Sequence, residues 1–167
     1  MYEAHGMTYA DSKVDYLSYG EAIDQMKNGQ CDAAFVTSGL GNATIKELGT
    51  TQKIVFIPVE GEPLKKLMAK YPFYVEWKIP KETYGTAVDT TTAAVMNIML
   101  VSKNLPDDVV YDLLTGIYSA DGLKTIGDSH ATAKKEIKME TALRGIKGTK
   151  VQLHPGAVKF YNEKGIK

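Results

Sequence analysis

The chain has 167 residues, 44% of them hydrophobic, 24% charged and 9% aromatic, which suits one substantial domain or two small lobes and excludes collagen, coiled coil and disorder. Twenty Lys and Arg balance twenty Asp and Glu, so no overall basic field exists to hold a nucleic-acid backbone or an anionic bilayer. A single cysteine, Cys31, excludes an internal disulfide.

The first residues, Met1 to Gly6, carry no basic region and no apolar core, so they do not read as a signal peptide. They read as the last turn of a helix closed by Gly6. Val14-Asp15-Tyr16-Leu17 is expected to be a short strand. Ser18 then caps a helix, because Glu21 stands three residues on and Tyr19, Ala22, Ile23 and Met26 fall on one helical face. Gly29 ends it. Cys31 to Val36 reads as a buried strand, followed by the tight loop Thr37-Ser38-Gly39-Leu40-Gly41 and a helix from Asn42 to about Leu48.

Ile54 to Val59 is the next expected strand, and Leu64, Leu67 and Met68 mark the helix after it. Tyr71 to Pro80 is aromatic and extended, and Thr90 to Val101 is a longer β-branched strand able to pass between lobes. The stretch from Thr92 to Val101 is about half the ~20 apolar residues a membrane helix needs. Pro106 with Asp107 and Asp108 opens an amphipathic helix carrying Val109, Val110, Leu113, Leu114, Ile117 and Tyr118. Met139, Ala142, Leu143 and Ile146 form another apolar face. His154-Pro155-Gly156 starts a last helix, and Gly165 stops it. Apolar runs alternating with helical periods predict an α/β fold.

No catalytic set emerges. His5, His130 and His154 lack metal-ligand spacing, and His154 before Pro155 reads as a helix-start residue. Cys31 reads as a small packed residue. The pairs Asp107/Asp108 and Glu136/Glu140 fit a helix's first turn and a solvated face. No cofactor or metal is expected. The informative piece is the loop Thr37 to Asn42, which joins a strand end to a helix start, where backbone N–H groups and the helix dipole favour an anion. Thr37, Ser38 and Asn42 add side-chain hydrogen bonds, and Gly39 allows close approach. The same spacing also suits a tight turn with ordinary capping. Among Tyr71, Phe73, Tyr74 and Trp77, packing is the commoner use, and Tyr74 is the first choice for contact with a solute.

Four stretches in order carry a family resemblance: Val14 to Ala22, Gly29-Gln30-Cys31-Asp32-Ala33-Ala34-Phe35, Lys70-Tyr71-Pro72-Phe73-Tyr74 with Ile79-Pro80, and Leu153-His154-Pro155-Gly156-Ala157 through Gly165. With them the chain resembles the TAXI family of TRAP-transporter solute receptors, extracytoplasmic proteins with a type II periplasmic binding protein fold. The resemblance implies a correspondence to the carboxyl-terminal half of such a receptor. On that basis residues 1–90 form an incomplete second lobe, and residues 91–167 comprise a crossover strand and carboxyl-terminal helices that pack on the first lobe.

The resemblance also implies capture without chemistry. Two lobes close on a small organic anion or amino acid and deliver it to the membrane subunits of an ion-coupled transporter. Carried over by loop position, the solute-facing residues are Thr37, Ser38, Gly39 and Asn42, with Tyr74 as a further contact. Two other readings share the fold: an enzyme, such as a transferase of an anionic substrate, and the effector-sensing domain of a regulator. The first needs a nucleophile or an acid–base pair at the Ser38 loop, and none is visible. The second needs DNA-binding helices. Apolar faces left uncovered by an absent half imply self-association, as a two-fold homodimer.

Overall fold

In the computed structural model, which describes residues 1–129, 131–146 and 149–167, helices form where caps and periodicity coincide. Eight helices are seen among the described residues: α1 Tyr19–Lys27, α2 Ala43–Thr51, α3 Gly61–Lys70, α4 Lys81–Tyr84, α5 Asp107–Ile117, α6 Ala120–Ser129, α7 Ala131–Glu136 and α8 Pro155–Glu163. Two strands, β1 Tyr74–Ile79 and β2 Thr90–Val95, pair in a two-stranded sheet. The chain divides into two compact units, one of residues 1–70 and 76–94, the other of residues 71–75 and 95–167.

The first unit opens with a single 3-10 turn, Tyr2–His5, closed by Gly6 at φ 73°, as the opening residues suggested. Ser18 caps α1 through the expected reciprocal pair, Ser18 N–H donating to Glu21 at 2.8 Å and Glu21 N–H to the Ser18 hydroxyl at 3.4 Å. Ile23 of α1 and Leu48 of α2 are buried, and the Lys27 ammonium meets Glu47 at 2.5 Å between the two helices. Leu64 and Leu67 bury one face of α3.

Three expected strands carry no ladder: Val14–Leu17, Cys31–Val36 and Ile54–Val59. An apolar or β-branched run becomes a strand only where a second backbone lies alongside it. The last run makes one such bond, Val59 N–H to the Thr91 carbonyl at 2.9 Å, and goes no further. It still alternates: Ile54 lies near Gly49 and the Phe56 ring 5.1 Å from Tyr84, while Val55 and Ile57 face solvent.

The long run from Thr90 leaves the ladder after Val95, short of Val101. Met96 lies against Gly145 instead, where an added Cβ would stand 2.4 Å from that of Met96. In the second unit Val110 and Leu114 of α5 and Ala157, Phe160 and Tyr161 of α8 form one buried cluster. Phe160 is only 1% exposed, with the rings of Tyr111, Tyr118 and Tyr161 around it.

Met139, Ala142 and Leu143, three of the four residues expected to form one apolar face, also cover this cluster; Met139 opens a 3-10 turn, Met139–Thr141, and Ala142 and Leu143 follow it. An i, i+3 apolar spacing serves either helix type, because three residues make one 3-10 turn. Helices α6 and α7 were not anticipated. The Ser119 hydroxyl accepts from Gly122 N–H at 3.0 Å at the start of α6, and Gly127 lets Lys134 of α7 approach. His130, one of the three histidines weighed in the sequence, lies outside the described residues.

Candidate functional site

Asn42 stands at the start of α2 and caps it. Its side-chain oxygen accepts from Thr44 N–H at 3.0 Å and Ile45 N–H at 3.2 Å. Gly41 precedes it at φ 80°, a left-handed turn for which glycine is suited. The N–H groups of Gly41 and Asn42 converge on one phenol oxygen, Tyr84 Oη, at 2.9 and 3.1 Å. Tyr84 ends α4, and its ring is held by Phe56. Four amides at this corner are therefore engaged by Asn42 and Tyr84.

Thr37, Ser38 and Gly39 are exposed. The Thr37 carbonyl accepts from the Tyr19 hydroxyl, which ties the loop to α1. The Ser38 hydroxyl turns back to the Gly39 carbonyl at 3.2 Å. A Cβ built on Gly39 meets nothing within 4 Å, so the loop is open on that side. A Cβ on Gly41 would instead lie 3.5 Å from the Lys46 ammonium, one turn into α2. Lys46 thus brings a positive charge to the loop, and no carboxylate pairs with it among the described residues.

Thr37, Ser38, Gly39 and Asn42 thus share one loop of the first unit. Tyr74 belongs to the second unit, at the first position of β1, half-buried. Its ring lies 4.9 Å from that of Phe73 and 6.3 Å from that of Tyr71, with Tyr71 and Phe73 5.9 Å apart. Offset and edge-on ring pairs of this kind stabilise one another beyond their buried area. Tyr19, Lys46 and Tyr84 were missed in the sequence. Lys46 was the one within reach, since it lies four residues after the cap; the contacts of Tyr19 and Tyr84 bridge distant segments.

Elsewhere, His154 is a helix-start residue as expected. Its Nδ1 accepts from Gly156 N–H at 3.2 Å, and Nε2 lies 3.1 Å from the Leu105 carbonyl. Tyr111 donates to Glu163 at 2.6 Å, and this bond pushes its phenol above the ordinary range. Burial pushes the Tyr161 phenol up as well. Half-buried Cys31 directs its thiol to the Ala33 carbonyl. Two open grooves on the second unit contain none of the residues expected to face a solute; Val109, Leu113 and Ile117 line one, and Asp108, Tyr111 and Lys159 the other.

Among the described residues, no group of three or more His, Cys, Asp and Glu is placed to hold a metal ion. No helix among them is long and apolar enough to cross a membrane. In comparison with known families, residues 1–165 match the model of the NMT1-like family.

Proposed function

The chain belongs to the NMT1-like family, a periplasmic solute-binding family, and from that premise we propose that it is a receptor of the TAXI type serving a TRAP transporter. It captures a small organic anion or amino acid and presents it to the membrane subunits without altering it. Residues 1–90 are the receptor's second lobe in this reading. Residues 91–167 are the crossover and the carboxyl-terminal helices that pack on the first lobe, within a type II periplasmic binding protein fold.

The observation that carries the site is the open side of the Thr37 to Asn42 loop. Gly39 faces unoccupied space, Thr37 and Ser38 are exposed, and the Lys46 ammonium stands by Gly41. A positive charge beside an accessible polar loop at a helix start favours an anionic group. Because four amides of the corner are already engaged, recognition there relies on side chains and on the Ser38–Gly39 backbone.

The Gly39→Val variant tests this reading. Its backbone is not in the left-handed region and a Cβ meets nothing within 4 Å, so a side chain is accommodated there without strain. The branched side chain then covers the loop. Calorimetric titration with amino acids and dicarboxylates is expected to show weakened binding against the wild type. Equal affinity in a variant with an unchanged melting curve would remove the loop from the site.

A further inference from the structure

A phenol has two lone pairs and one proton to place. Tyr84 uses both lone pairs on the loop, accepting from Gly41 N–H at 2.9 Å and Asn42 N–H at 3.1 Å. Among the described residues no acceptor is in hydrogen-bond contact with its proton. The ring cannot easily turn away. It is half-buried, it packs on Phe56, and Gly85 at φ 68° turns the chain just after it. Accepting from two N–H groups also polarises the O–H bond and strengthens the bond it goes on to donate.

The Lys46 ammonium lies beside the same loop, at Gly41. An acceptor that answers both a phenol donor and a nearby ammonium is an anionic oxygen, and for an organic solute that means a carboxylate. We infer that Tyr84 is a solute-contacting residue that donates its hydroxyl proton to a solute carboxylate beside Lys46, while its oxygen holds the loop in shape. This rests on the loop reading above and deepens it. It assigns the solute's charged end to a side-chain pair formed by Tyr84 and Lys46, and leaves Gly41 and Asn42 N–H as support for the phenol.

The test is calorimetric titration of the whole chain with the common amino acids and with four- and five-carbon dicarboxylates, the tightest of them then serving as the probe. Tyr84→Phe keeps the ring on Phe56 and removes only the hydroxyl. It is expected to weaken the probe about ten-fold or more, the value of a hydrogen bond to a charged group. The wild-type Tyr84 ring-carbon (Cζ) resonance is expected to shift as the probe saturates the protein.

An unmoved Tyr84 resonance at saturation, or undiminished affinity in Tyr84→Phe, overturns the inference. If Gly39→Val weakens the probe while Tyr84→Phe does not, the loop reading stands and the Tyr84 role falls. If no member of the panel binds the wild type, both fall.

Discussion

His154 shows how much one side chain can fix. Its ring is 5% exposed, and its two nitrogens join the start of α8 to the backbone that leads into α5. Replacing it with alanine removes a cap and leaves a buried N–H and a carbonyl without partners, at a cost of about 1–2 kcal/mol. Chemical denaturation reads this directly; an unchanged midpoint would show that the ring is dispensable. Two residues on, a Cβ at Gly156 would fall 2.1 Å from the Asp107 carbonyl oxygen. Gly156→Ala is therefore expected to destabilise by about 1–3 kcal/mol through forced separation of α5 from α8.

Glu21 gives a pH signature at the same scale. The Ser18 side chain and then the Ser18 N–H hold its carboxyl below the ordinary carboxylate range. A carboxyl depressed in the folded state contributes stability above its ordinary value of about 4.3, and loses it as pH falls through the folded value. The start of α1 should therefore lose amide protection on acidification in the wild type. In Glu21→Gln the same amides should show little pH dependence. Equal acid sensitivity in both proteins would place the effect elsewhere.

At the scale of elements, the sequence was legible wherever the deciding contacts lie within a few residues. Ser18 with Glu21, Asn42 before α2, and His154-Pro155 are local signals, and each marks a helix start in the structure. The runs at Cys31–Val36 and Ile54–Val59 were not settled by composition, because apolar or β-branched content states a preference while a ladder needs a partner from a distant part of the chain. Helix α6 was missed for the opposite reason: two glycines and few apolar residues weaken its periodicity, and Ser119 starts it through a single hydrogen bond to Gly122. The loop Thr37 to Asn42 was visible, but Tyr84, 42 residues beyond Asn42, was not.

The pairing of α5 with α8 is the best-packed element contact in the second unit, and Phe160 lies at its centre. Phe160→Ala should cost about 3–5 kcal/mol, the range for removing a buried aromatic ring. Loss of near-ultraviolet ellipticity at lower denaturant would record it. A variant as stable as the wild type would mean that the cluster repacks without the ring.

At the scale of the whole molecule, several large apolar side chains have no cover. Phe35 is 74% exposed, and Val55 and Ile57 are each 78% exposed. Runs of exposed apolar residues with unused backbone donors favour association. We expect a concentration-dependent dimer by sedimentation equilibrium, and a monomer at high micromolar concentration with no binding of a hydrophobic dye would refute this. The family sets the larger claim, since a periplasmic solute-binding chain is expected to hold a small molecule and return it unchanged. Titration of the wild type with amino acids and small organic anions, followed by mass spectrometry of the recovered solute, tests that claim most directly. A saturable one-to-one isotherm for one of them with the solute recovered intact is the predicted result; conversion of the solute, or no binding across the panel, would contradict it.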